Sequence, residues 1–158
     1  VELEVDETEK KIAAFNASRQ KLYQDRAAQE QDAQKAEQER LRIMEKAKAA
    51  IPQFSYTAEA SAASTQLKLQ EGFIAVDFSE RPPMGDKVIA EYTVTVRDTK
   101  APATGRAMTW KVFEDGRLII RVPEPHDKAV VKPEISVFDY DQKRLEALIL
   151  DFAFAVYS

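Results

Sequence analysis

Apolar and polar positions alternate with two different periods along this chain, and the change between them falls near residue 52. From residue 88 the period is two. Val88, Ala90, Tyr92, Val94 and Val96 alternate with Ile89, Glu91, Thr93, Thr95 and Arg97, as in a half-buried strand. Met108, Trp110 and Val112 alternate with Thr109 and Lys111, and Leu118, Ile120 and Val122 with Ile119 and Arg121. Glu114-Asp115-Gly116 joins the last two runs, and Asp-Gly between alternating runs signals a hairpin. An earlier strand is predicted over Phe73 to Ser79, presenting Ile74, Val76 and Phe78. Loops are expected at 81–86, 99–105 and 123–133, where Pro, Gly, Asp and Thr gather. These runs predict an antiparallel meander of four to five strands.

The C-terminus returns to helical spacing. Leu145, Leu148, Ile149, Phe152 and Val156 form an apolar stripe. Asp139 with Gln142 three residues on gives a capping-box start. A helix on one face of a sheet makes the fold α+β. Residues 55–66 are ambiguous between helix and connector. Leu67 and Leu69 are candidates for an extra strand, turning through Gln70-Glu71-Gly72 into the first.

The first third has no such alternation. All glycines and prolines fall after residue 51, and the segment before them is rich in Ala, Gln, Glu, Lys and Arg, strong helix formers. One charged helix is predicted over about residues 6–51, roughly 68 Å long if unbroken. Charges at Asp6/Lys10, Glu7/Lys11, Glu37/Arg40 and Glu39/Arg42 support it by a few tenths of a kcal/mol each. Pro52 is expected to stop it, because the residue before a proline disfavours the α region. The expected division is therefore 1–52, a coiled-coil-like helix, and 53–158, a compact domain. With Ile12 set at position a of a heptad, Phe15, Leu22 and Ile43 fall at d, while arginines and alanines fill most of the remaining a positions. Ile12, Phe15, Leu22 and Ile43 are the candidate oligomerisation residues of a weak seam.

Composition narrows the chemistry. No apolar run approaches the ~20 residues that cross a bilayer. There are no cysteines, so disulfides and thiol chemistry are out, and the formal net charge is −4, against sequence-blind coating of DNA. The acidic start lacks the basic and apolar regions of a signal peptide, and a cytoplasmic location is the default expectation. His126, the single histidine, lies in a Pro-rich loop beside Asp127 without an evident nucleophile. Asp139-Tyr140-Asp141 has the D-x-D form that can hold a divalent cation, but a helix start explains it as well. Ser18-Arg19-Gln20-Lys21 matches S-x-x-K by letter only, without companion motifs. No phosphate-loop or nucleophile-elbow motif occurs, and neither an enzymatic activity nor a cofactor is expected.

What remains is the outward face of the sheet. Arg97, Lys111, Arg117 and Arg121 share it with Ile89, Phe113 and Ile119. The apolar members suit a protein partner. The basic ones suit a nucleic-acid backbone, the alternative reading, although only Phe113 is placed to stack on a base. The sequence thus points to a non-enzymatic interaction or assembly protein, with the helix as spacer or self-association element and the α+β domain as docking module.

Overall fold

The structure, a computed structural model, describes residues 2–122 and 128–157, with side chains described over 6–122 and 135–157. Helix α1 (Glu2–Leu69) leads through a 3-10 turn (Gln70–Gly72) into strands β1 (Ile74–Arg81), β2 (Val88–Asp98), β3 (Ala101–Phe113), β4 (Arg117–Val122) and β5 (Lys128–Ser136). Helix α2 (Gln142–Tyr157) follows. The strands form one five-stranded antiparallel sheet in chain order, so the fold is α+β and the sheet a simple meander.

Two compact units are present, residues Val1–Arg42 and Ile43–Ser158. The first is a single stretch of α1. Every residue from Asp6 to Arg42 is exposed, and ion pairs Lys10–Asp6, Arg40–Glu37 and Arg42–Glu39 run along its surface. The boundary falls ahead of Pro52, because the part of α1 beyond Ile43 already packs into the second unit.

The helix does not stop at Pro52. Proline removes one backbone bond, the one its own N–H would have donated to the carbonyl of residue 48. Pro52 lies on an exposed position, where such a loss is least costly, and the turns that follow are anchored by burial of Phe54, Ala58, Ser61, Ala62 and Thr65. Residues 55–66 are therefore helix. Leu67 and Leu69 also end α1 and add no strand to the sheet.

The core lies between this second part of α1, one face of the sheet, and α2. Val76, Tyr92, Val94, Val96, Met108, Trp110, Val112, Leu118 and Ile120 point in from the strands, and Leu145, Ile149 and Phe152 from α2. Aromatic rings link the layers. Phe54 of α1 packs against Tyr92 (5.7 Å between centroids) and edge-on to Tyr140 (5.1 Å), and Phe78 stacks on Tyr92 at 5.3 Å. The Tyr92 hydroxyl meets Ser55 Oγ at 2.6 Å, so this ring joins sheet to helix by a polar contact as well. Burial raises the Tyr92 pKa above its ordinary value.

Three local readings change. The expected 99–105 loop is mostly strand: a turn at Thr99-Lys100 joins β2 to β3, and the register shifts between Val96 and Asp98. The expected 123–133 loop gives way to β5 from Lys128 onward, with Pro133 on an edge strand, where a missing ladder donor is tolerated. The helix cap is Asp141, whose Oδ1 accepts the Arg144 amide at 2.8 Å. Asp139 instead forms an isolated bridge with Ser136. Gly116 keeps its predicted place in the β3–β4 turn, with φ +88° and no room for a side chain: a Cβ there would lie 2.5 Å from the Phe138 ring.

Candidate functional site

Register fixes what the outward sheet face brings together. Lys111 stands opposite Glu91 on β2 and Ile119 on β4, and Arg121 stands opposite Thr109. Lys111, Ile119 and Arg121 are thus close neighbours. Arg97 sits toward the far end of β2, opposite Ala75 of the edge strand. Phe113 and Arg117 flank the β3–β4 turn, with the Arg117 guanidinium 5.9 Å from the Phe113 ring centre. Ile89 lies at a register irregularity of β2 and is half-buried against the core.

Electrostatically the face is less basic than its sequence suggests. Glu91 is only 4% exposed. Its carboxylate lies 3.5 Å from Lys111 Nζ and accepts the Met84 amide at 3.4 Å, while Lys111 donates to the Met84 carbonyl at 3.0 Å. The 82–87 loop is therefore tied to the sheet at this point. Arg97 bonds Asp77 at 2.8 Å and Arg117 bonds Asp115 at 2.6 Å. Of the four basic candidates, only Arg121 has no acidic partner among the described residues.

The helix candidates separate into two groups. Ile12 and Phe15 are 55% and 65% exposed and Leu22 37%, all in the first unit, whereas Ile43 is half-buried at the start of the second. Tyr23 adds an exposed ring that sequence reasoning passed over. Arg19 and Arg26 lie over it at 5.2 and 5.9 Å, and Arg19 donates to its hydroxyl at 3.1 Å. Both arginines fall at heptad position a and Tyr23 at e. The stacking draws both cations toward the Tyr23 ring.

A third feature was missed altogether: a hollow of about 430 Å³ between α1 and the edge strand β1. Ala62, Ala63 and Leu67 line it from the helix and Val76 and Phe78 from the strand, with Glu59 at its rim. The alanines that keep the helix wall low read in sequence only as helix formers. At the end of β1 lies a smaller hollow of about 200 Å³, lined by Ile51, Glu80, Arg81 and Pro83 and by Ile89, Ala90, Glu91 and Tyr92 of β2.

For catalysis and metals the geometry offers little. Among the described residues no three His, Asp or Glu side chains converge as a metal would require. Asp141 is engaged as a helix cap, and Arg144 lies 3.5 Å from Asp139. Ser18 and Lys21 lie on the exposed stretch of α1. His126 lies outside the described residues. Among those residues, no helix is long and apolar enough to cross a membrane. Compared with protein-family models, curated proteins and solved structures, the chain matches none.

Proposed function

We propose that this chain is a non-enzymatic interaction protein whose first unit pairs with the same helix of a second copy, while the α+β unit docks a protein partner. The observation that carries the reading is the unbroken exposure of residues 6–42, which includes Ile12, Phe15 and Leu22 on one heptad seam. A lone helix has only its own backbone bonds and weak surface pairs to hold it, and helices in proteins owe most of their stability to packing of an apolar face. Exposed Phe, Ile and Leu at a and d positions supply such a face. Its weakness in the middle, where Gln29, Ala33 and Ala36 occupy the seam, argues for modest affinity.

Light scattering on the full chain tests this. The expected result is a defined oligomer that dissociates on dilution and becomes a monomer in the Phe15→Glu/Leu22→Glu variant. A monomer at every concentration would overturn the pairing. Nucleic-acid binding by the sheet face is the weaker reading, because Arg97, Lys111 and Arg117 already hold carboxylates close by. Binding of single-stranded oligonucleotides that weakens with salt and is lost in Arg121→Glu would restore it.

A further inference from the structure

We infer that the groove between α1 and β1 takes an extended, basic peptide segment of a partner protein as an added strand. The backbone of β1 provides the first argument. In an antiparallel ladder, alternate residues turn both N–H and C=O toward the neighbouring strand, and those between turn both away. Phe73 accepts the Thr99 amide, and Val76 donates its own amide to Gln66 Oε1 at 3.0 Å. The odd-numbered residues therefore face β2, and Val76, Phe78 and Glu80 present their backbone groups at the sheet's edge. Among the described residues no strand pairs there. Gln66 already occupies one position with a side-chain amide, doing for Val76 what the carbonyl of a further strand would do.

The second argument is the spacing of the hollows. The larger opens beside Val76 and Phe78, and the smaller lies at the end of β1, beside Glu80 and Arg81 and the facing residues of β2. Along an extended chain at ~3.3 Å per residue they lie about four residues apart, so side chains on one face of an added strand reach both. Strand addition works in this way, with main-chain bonds for affinity and alternate side-chain pockets for selectivity. Leu67, 67% exposed, together with Ala62, Ala63 and Val76, makes the larger pocket suited to an aliphatic side chain.

Charge identifies the occupant. Glu59 lines the first hollow, together with Asp77, and Glu80 lines the second beside Arg81; among the described residues neither Glu59 nor Glu80 is in an ion pair. Both carboxylates lie where a lysine or arginine of the added segment would approach. The inference rests on the interaction-protein reading for the existence of a partner, but is independent of helix pairing.

The test is selection of a phage-displayed library of random peptides, about ten residues long, on the full chain. Affinities of the enriched peptides would then be measured by fluorescence anisotropy. Enrichment of peptides with aliphatic residues about four apart and at least one Lys or Arg is expected. Their affinity should fall at least about tenfold in Ala63→Trp, which fills the larger hollow, and several-fold in Glu59→Lys. Both substitutions are at exposed positions, and circular dichroism checks that the fold persists. If Ala63→Trp disturbs the helix, Glu59→Lys alone decides. Unchanged affinity in the variants, or no enrichment, overturns the groove as a peptide site. Loss of affinity in Arg121→Glu instead moves docking to the outward sheet face, which keeps the interaction reading and rejects this site. The light-scattering result is unaffected by any of these outcomes.

Discussion

At the scale of single residues, the most consequential side chain is Glu146, a carboxylate on the buried face of α2. It is buried, and it joins α2 to the end of α1. Hydrogen bonds from Ser64, Gln142 and Lys68 hold its pKa at about 2, against an ordinary 4.5. The Lys68 ammonium and the Gln142 amide each lie 3.0 Å from it. A depressed carboxylate stabilises the fold fully above its unfolded pKa, and that contribution is lost as pH falls from about 4.5 toward 2. Lys68 is more than half exposed, so solvent screening reduces the effect to roughly 1–2 kcal/mol. Urea unfolding at pH 5 and at pH 2.5 measures it. The natural chain should lose more stability between the two than Glu146→Gln does, by about that amount. Equal losses in the two proteins would mean that the network contributes nothing. Nothing in the sequence pattern marks this residue, because its three partners come from two helices 78 residues apart at the Lys68 contact.

At the scale of elements, the strands were legible and the second half of α1 was not. Strand periodicity survives because Tyr92, Val94, Val96, Met108, Trp110 and Val112 are large, apolar and buried on one side. Along α1 the buried positions are instead Ala47, Phe54, Ala58, Ser61, Ala62 and Thr65, mostly small and partly polar. Ser61 and Thr65 are tolerated there because their hydroxyls bond back to the carbonyls of Thr57 and Ser61, both at 2.7 Å. Such small side chains let the helix approach the sheet closely, yet in sequence they leave helix and connector both open. Pro52 was expected to end the helix, since local propensity favours a stop there and only the tertiary anchoring at Phe54 overrides it. Pro52→Ala is expected to add about 2 kcal/mol to the unfolding free energy, by restoring a helix bond with little loss elsewhere. Thermal and urea denaturation would register it. Destabilisation by this change would instead mean that the packing beyond residue 52 depends on the proline's backbone geometry.

At the scale of the whole molecule, the two units are held in different ways. The second has a closed core of sheet and two helices, and the surfaces proposed for docking are its partly neutralised sheet face and open strand edge. Of the outward face, the sequence placed Lys111, Ile119 and Arg121 together correctly, since strand alternation and the Asp-Gly turn determine their register. The ion pairs that neutralise it were not read: Glu91 faces Lys111 directly across β2 and β3, Asp77 reaches Arg97 diagonally, and Asp115 reaches Arg117 within the β3–β4 turn. Among its described side chains, residues 6–42, the first unit buries none. Its heptad residues Ile12, Phe15 and Leu22 were legible, and their exposure is what the pairing proposal explains.

Hydrogen exchange of the backbone amides of residues 10–38 tests that proposal most directly, because it reads the stability of the helix itself. Measured at two protein concentrations about a hundredfold apart, protection should be strong at the higher and fall at the lower, since pairing is a mass-action effect. Weak protection at both concentrations, or protection that does not change between them, would contradict pairing of this helix with a second copy.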